Sequence, residues 1–238
     1  MGKFLKFRVQ LPAIFTRLYP EAIWKIPSGE KEVYLTFDDG PAPGVTPAVL
    51  DILRNKGVKA TFFCVGENVY HHPEIFQQVI DDGHAVGNHT YNHLKGLEYT
   101  NNYYLSNVEK AYKLIGSRLF RPPYGLFKRS QYRRLKSKYL IIMWDVISCD
   151  YDPNLKPDEV FSNVVNFVRD GSIVTFHDSL KAENNVLTAL PKVIDHLLAE
   201  GYTFKKIDIS KTRPFASSPW LQRFRQMREA ASRQSDRA

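Results

Sequence analysis

The stretch YLTFDDGPAPG, from Tyr34 to Gly44, places two adjacent carboxylates at the end of an apolar run. The segment 33–37 is rich in β-branched and aromatic residues, which predicts a strand. Asp38 and Asp39 follow this strand directly. Neighbouring carboxylates repel each other and resist leaving water, so a pair at a strand end calls for a compensating positive charge. Taken alone, Asp-Gly-Pro is also an ordinary turn sequence.

Composition limits the classes of protein that fit. The chain has 238 residues, enough for a sizeable core, and its 43% hydrophobic content is globular. No run approaches the ~18 apolar residues of a membrane span. Pro12 and Arg17 interrupt the apolar N-terminal segment, which predicts no cleaved signal peptide and a cytoplasmic location. The net charge of +8 lies mostly in residues 211–238, so it does not indicate a nucleic-acid groove, and no nucleic-acid partner is expected.

Strand-like and helix-like segments alternate along the chain. The predicted strands are 33–37, 60–65, 84–87, 139–144, 172–176 and 202–207, and the predicted helices are 46–57, 72–83, 99–115, 157–171 and 184–201. Thr46 is placed to cap the first of these helices. Several strands are apolar on both faces, which is typical of parallel strands covered by helices. Such a series fits an open doubly wound sheet or a closed barrel.

In a parallel β/α fold, chemistry collects at the carboxyl ends of the strands. Five strand ends carry ionisable groups: Asp38 and Asp39, His89 and His93, Arg121, Asp145 and Asp150, and His177 and Asp178. Each group alone has an ordinary explanation as a turn, a surface histidine pair, a connector or a hydrogen-bonded side chain. Their coincidence on one side of the predicted sheet indicates a joint site.

These residue types suit metal-assisted hydrolysis of an acyl group. One Asp with two His residues makes a three-ligand site with an open position, suited to Zn²⁺. His89 and His93 are four apart, so one helical turn would place both rings on one face. A bound metal lowers the pKa of water from ~15.7 towards ~7, and the second Asp can take the proton. An arginine beside that Asp would keep it ionised, and a histidine could protonate the leaving group.

The motifs resemble those of the polysaccharide deacetylase family, also called carbohydrate esterase family 4 or the NodB homology domain, over about residues 32–207. TFDDGP resembles the first family motif, HTYNH the metal motif, RPPYG the third, SCDY the fourth and IVTFHD the fifth. The resemblance implies a distorted (β/α)₇ barrel with parallel strands, built as a single domain with short terminal extensions. It also implies removal of acetyl groups, mostly N-acetyl, from a carbohydrate polymer or oligomer.

The resemblance assigns a role to each matching residue. The implied ligands of a divalent metal, expected to be Zn²⁺ with Co²⁺ or Mn²⁺ as alternatives, are Asp39, His89 and His93. The implied catalytic residues are Asp38 as base, Arg121 as its partner, His177 as general acid and Asp150 as the residue that tunes His177. The implied oxyanion donor is the backbone N–H of Tyr124.

Two motifs depart from the family pattern. The fourth usually reads Asp-x-x-Asp-Trp, but Ile147 and Tyr151 stand here in place of its first Asp and its Trp. The fifth usually has Leu two residues before its His, and Thr175 occupies that position. The family's Trp and Leu line the pocket for the acetyl methyl group. Tyr151 and Thr175 are therefore predicted to contact the substrate.

The predicted organisation is an N-terminal extension packed on the barrel (1–31), a catalytic domain (32–210) and a basic C-terminal tail (211–238), part of it helical from Ser218. A basic amphipathic helix can lie on an anionic membrane surface, but we favour a tail that is loose or packed on the barrel. The expected partner is an acetylated glycan. The alternatives are an O-acetyl esterase, a catalytically silent carbohydrate-binding relative and, by its Asp-His-His set, an Fe(II) oxygenase.

Overall fold

The computed structural model describes residues 9–10 and 14–208. The predicted tail helix lies outside the described residues. The described strands are β1 (Glu32–Asp38), β2 (Thr61–Cys64), β3 (Ala85–Asn88), β4 (Leu119–Phe120), β5 (Leu140–Ile141), β6 (Val146–Ile147), β7 (Ser172–His177) and β8 (Thr203–Phe204). The described helices are α1 (Ile14–Leu18), α2 (Val45–Asn55), α3 (Gly66–His71), α4 (Pro73–Asp81), α5 (Asn101–Ile115), α6 (Arg129–Leu135), α7 (Pro157–Val165) and α8 (Glu183–Ala199). In these ranges, no helix combines the length and apolar character needed to cross a membrane.

The strands form one parallel sheet that curls into a barrel. Their order is β5-β4-β3-β2-β1-β7-β6, and β8 pairs with the beginning of β1. The edge strands β5 and β6 are consecutive in the chain, so the segment 140–147 pairs with β4 at its start and with β7 at its end. One short segment thus joins both edges of the sheet. This arrangement confirms the predicted distorted (β/α)₇ barrel.

The element boundaries differ from the predicted ones where tertiary contacts intervene. The predicted strand 139–144 is broken, because Met143 N–H donates to the carbonyl of Ile23 and the chain joins β7 only from Asp145 onward. The predicted helix 157–171 ends at Val165. Thr46 does not cap α2, which begins one residue earlier, because the Thr46 hydroxyl bonds elsewhere.

Residues 19–23 lie against the β4–β5 side of the barrel, whereas residues 25–29 bond to the segment 170–172 at the start of β7. The ring of Tyr19 stacks on Phe127 with centroids 4.8 Å apart, and its hydroxyl donates to the Phe127 carbonyl at 2.8 Å. Ile23 N–H donates to the Ile141 carbonyl at 2.8 Å. Phe127 and Ile141 belong to a second apolar cluster beside the main core. Because Phe127 comes soon after the RPPYG segment, these contacts support the loop that carries Tyr124.

Candidate active site

Three potential metal ligands meet at the carboxyl ends of β1 and β3. Asp39 Oδ1 lies 3.1 Å from His93 Nε2 and 3.7 Å from His89 Nε2. One ligand atom from each residue lies within 4.8 Å of the others. His89 Nδ1 lies 2.8 Å from the Arg121 carbonyl, which only accepts, so Nδ1 carries the proton and the Nε2 lone pair faces Asp39. One carboxylate and two imidazoles are donors that could hold a divalent metal ion.

The two histidines are not brought together by a helical turn, so that part of the sequence interpretation was wrong. The segment HTYNH is an irregular loop in which Thr90 and His93 have left-handed φ values of 64° and 54°. Asn107 from α5 accepts the Tyr91 N–H at 2.7 Å and donates to the Asn92 side chain at 3.0 Å. Contacts with α5 therefore help to set the shape of the loop, together with local bonds such as that from Leu94 N–H to Thr90 Oγ1 at 3.0 Å.

Asp38 forms a buried ion pair with Arg121. Asp38 Oδ1 lies 2.6 Å from Arg121 Nη1, and the Arg121 side chain is completely buried. Two backbone carbonyls, of Ile142 and Met143, accept from the guanidinium at 3.3 and 3.0 Å. Phe63 lies under the guanidinium, 4.1 Å from its central carbon. The arginine is thus held on several sides, and it fixes the carboxylate that the sequence predicts to be the base.

The departure from the family's fifth motif has a physical role in this network. Thr175 Oγ1 accepts from Arg121 Nη1 at 3.1 Å and lies 3.3 Å from the hydroxyl of Thr36. Thr36 also accepts from Arg121 Nη1, at 2.8 Å. Leucine at position 175 could not accept this bond. Thr175 still lines the cavity, where the sequence predicts a substrate contact.

His177 and Asp150 form the other charged pair of the site. His177 Nδ1 lies 2.7 Å from Asp150 Oδ1, and the His177 backbone N–H donates to Oδ2 at 2.8 Å. Burial disfavours the imidazolium, but the Asp150 carboxylate outweighs burial and raises the pKa of His177 to about 9. His177 is therefore protonated at neutral pH, which is the state a general acid requires.

Among the candidate metal ligands, His89 is a neutral imidazole and Asp39 an ionised carboxylate, whereas His177 is protonated. Burial lowers the pKa of His89 to about 4, so its ring is neutral and has a lone pair to offer. Burial alone would favour the neutral acid at Asp39, but the hydrogen bond from His93 and the nearby His177 charge hold the pKa of Asp39 well below its ordinary value. Both residues thus have the protonation state that metal binding requires.

These groups open onto a single cavity of about 400 Å³. Its lining includes the predicted residues Asp38, Asp39, His89, His93, Tyr124, Tyr151, Thr175 and His177. Arg121 and Asp150 lie behind it as the fully buried partners of Asp38 and His177. The Tyr124 ring packs edge-on against His93 at 4.9 Å between centroids. The structure therefore places every predicted site residue at this cavity or in contact with its lining.

Two further lining residues, Trp144 and Lys181, were not singled out by the sequence. Ile147, which the sequence marks only as a departure from the fourth motif, also lines the cavity. Trp144 ends the apolar run 139–144, so its position at a strand end was an available signal. A side chain at Gly125, which has a φ of 66°, would approach the Trp144 ring to 2.4 Å, so this glycine allows the two segments to pack.

Two other carboxylates at the strand ends, Asp145 and Asp178, do not line the cavity. The carboxylate of Asp145 instead pairs with Arg169 at 2.6 Å and accepts from Ser172 Oγ at 2.6 Å. Asp178 is buried and holds the first motif, since its two oxygens accept from Gly40 N–H at 3.0 Å and from Thr46 Oγ1 at 2.7 Å. Asp178 therefore fixes the loop that follows Asp38 and Asp39.

Comparisons with known proteins identify the family of this chain. The polysaccharide deacetylase family model matches residues 25–140. A peptidoglycan-N-acetylglucosamine deacetylase of Bacillus cereus is 34% identical over 191 residues, covering 76% of this chain and 88% of the relative. The chain therefore belongs to the polysaccharide deacetylase family, carbohydrate esterase family 4, which confirms the resemblance found in the motifs.

Solved structures of the same family share the fold. The structure of a peptidoglycan N-acetylglucosamine deacetylase superimposes with a TM-score of 0.77 at 29% identity, covering 82% of this chain and 94% of that chain. A family pseudoenzyme from Bacillus anthracis superimposes with a TM-score of 0.71 at 26% identity, covering 79% of this chain and 68% of that chain. The family thus includes both enzymes and a pseudoenzyme, so activity has to be argued from the site residues.

Proposed function

We propose that this protein removes acetyl groups from an acetylated glycan, with N-acetylated amino sugars as its preferred substrates. The observation that supports this is the meeting of three arrangements at one cavity: the Asp39–His89–His93 ligand group, the Asp38–Arg121 pair and the Asp150–His177 pair. They match the three needs of amide hydrolysis, which are an electrophilic centre, a base and an acid.

Asp39, His89 and His93 would hold the cation, and we expect Zn²⁺, with Co²⁺ or Mn²⁺ as alternatives. When bound, such a cation polarises the acetyl carbonyl and makes a water easier to deprotonate. The fit rests on the orientation of His89, whose Nδ1–H is committed to the Arg121 carbonyl and whose Nε2 is therefore a ligand.

Asp38 would take the proton of the attacking water. Arg121 orients this carboxylate through Nη1 and is itself held by Thr36 and Thr175, which restricts the rotation of the base. Tyr124 would donate its backbone N–H to the oxygen that gains negative charge. In residues 14–208 this N–H has no hydrogen-bond acceptor, so it is free to serve the substrate.

His177 would give its proton to the leaving nitrogen, with Asp150 holding the ring at Nδ1 so that Nε2–H faces the substrate. An amide needs this proton because an amide anion is far too basic to leave. An O-acetyl esterase would use the same residues, but an ester depends less on the acid. The hydrogen-bonded His177–Asp150 pair therefore favours an amide substrate over an ester.

The test is acetate release from N-acetylglucosamine oligomers, peptidoglycan and acetylated xylan. The protein is stripped with a chelator and assayed alone and with Zn²⁺, Co²⁺ or Mn²⁺. We expect metal-dependent release from the N-acetylated substrates, and none from an Asp38→Asn control. Release from xylan alone would identify an O-acetyl esterase. No release from any substrate, with glycan binding retained, would indicate a silent relative.

A further inference from the structure

A cationic side chain at the rim of the cavity has no role in the chemistry just described. Lys181 lies in the connection between β7 and α8, is exposed, and lines the cavity together with His177. Its Nζ lies 5.7 Å from the centroid of the Tyr151 ring, which lines the same side. No carboxylate of the described chain pairs with Lys181.

Lys95 provides a comparison on the other side of the site. Its Nζ lies 5.9 Å from the ring centroid of Tyr124, an arrangement similar to that of Lys181 and Tyr151. Lys95, however, forms a salt bridge to Glu98 at 2.9 Å. Its charge is therefore neutralised within the protein, whereas the charge of Lys181 faces the cavity.

The other charges at the cavity are already compensated. Asp38 pairs with Arg121, and Asp150 pairs with His177. Asp39 lies among imidazoles at the ligand group. The ammonium of Lys181 is thus the cavity charge whose counter-charge a ligand would supply. Because Lys181 is exposed at the rim, its ammonium keeps much of its hydration, and its uncompensated charge attracts an anionic group on the ligand.

We propose, building on the deacetylase function above, that Lys181 binds a carboxylate of the substrate. The substrate class is then an oligomer of N-acetylated amino sugars that carries acidic groups, either on the acetylated sugar or on its neighbour. Tyr151 gives an aromatic surface for a sugar ring beside the ammonium. The flexible lysine stem lets the charge follow the position of the carboxylate. Lys181 acts on substrate choice and takes no part in the proton transfers.

The test compares three tetrasaccharides that contain N-acetylglucosamine. One is the neutral homo-oligomer, one alternates with N-acetylmuramic acid, and one alternates with glucuronic acid. In the second, the lactyl group of N-acetylmuramic acid carries the carboxylate. kcat/KM for acetate release is measured with the metal-loaded wild type and with Lys181→Met, Lys181→Arg and Lys95→Met. Preference for one acidic substrate over the other identifies the source of the carboxylate.

We expect the wild type to prefer an acidic substrate and Lys181→Met to lose about tenfold on it, the scale of a charge-assisted hydrogen bond, with little change on the neutral one. Lys181→Arg should keep the preference, Lys95→Met should match the wild type, and added salt should weaken the preference. Equal losses on all substrates, or none, would overturn the role of Lys181. Absence of acetate release by the wild type would instead overturn the deacetylase function.

Discussion

Arg121 Nη1 lies 2.6 Å from Asp38 Oδ1, and the two side chains are 0% and 5% exposed. A fully buried guanidinium is costly to desolvate, and removing either partner leaves an uncompensated charge in the interior. The pair joins β1 to the segment after β4, so the same contact holds the barrel together and orients the proposed base. Stability and activity are therefore coupled at this point.

Arg121→Met should lower the free energy of unfolding by about 3–5 kcal/mol, because Asp38 is left buried without its counter-charge. Acetate release should fall close to background. Urea unfolding and acetate assays measure the two effects. Lys192→Met is the control, since its pair with Asp158 leaves both side chains more than half exposed and is worth about 1 kcal/mol or less. Equal destabilisation by both substitutions would contradict the importance of the buried pair.

The two adjacent aspartates should separate in their effects on metal content. Asp38→Asn should keep the bound metal but lose most turnover, because the ligand group Asp39, His89 and His93 stays complete. Asp39→Asn should weaken metal binding itself, as should His89→Ala or His93→Ala. Metal analysis after dialysis and kcat on an N-acetylated oligomer give the comparison. The assignment is wrong if Asp38→Asn and Asp39→Asn lose metal and rate to the same extent.

Loss of His177 should harm an amide far more than an activated ester. His177→Ala should cost ~10² to 10⁴-fold in kcat/KM on an N-acetyl substrate, the usual scale of general-acid catalysis. An aryl acetate has a leaving group that needs no proton, so His177→Ala should lower kcat/KM on this substrate much less. Both rates are measured on the same metal-loaded preparation. Equal losses would assign His177 to positioning of the sugar.

Asp150 should control the alkaline limb of the pH profile. Activity needs the protonated imidazole, so it falls as pH rises through the pKa of His177, which Asp150 raises to about 9. Asp150→Asn removes the stabilising charge while burial, which lowers the pKa, remains. The limb should therefore move to lower pH, and the acid limb should stay. An unshifted alkaline limb in kcat/KM would show that another group governs it.

Asp178 should act through the loop after Asp39. Asp178→Ala leaves Gly40 N–H and the Thr46 hydroxyl without their acceptor, which should cost about 1–3 kcal/mol in unfolding free energy. Metal affinity should fall about tenfold, because the support of the ligand loop is lost. Thr46→Ser keeps the hydroxyl and should resemble the wild type, whereas Thr46→Val should show a milder form of the defect. Unchanged metal affinity in Asp178→Ala would limit Asp178 to stability.

Much of the fold follows from local patterns. The alternation of apolar strands and amphipathic helices predicts a parallel β/α fold, because residue class and periodicity are local properties of the chain. The closure of the barrel is not local. It depends on the segment 140–147 leaving β4 and joining β7, and on Ile23 bonding to Met143 in between. The prediction of one continuous strand over 139–144 was wrong for this reason.

The sequence by itself determined which residue types stand at the strand ends, since motif order and spacing are properties of the chain. The tertiary structure decided which of them belong to the site: Asp150 pairs with His177, whereas Asp145 pairs with Arg169. It also set left-handed backbone conformations at Asp39, His93 and Tyr124, which the sequence does not indicate because none of these residues is glycine. Contacts from distant segments impose these conformations, as when Asn68 donates to the Asp39 carbonyl at 2.7 Å. Such contacts cannot be predicted from a local pattern, because they form only once the barrel has closed.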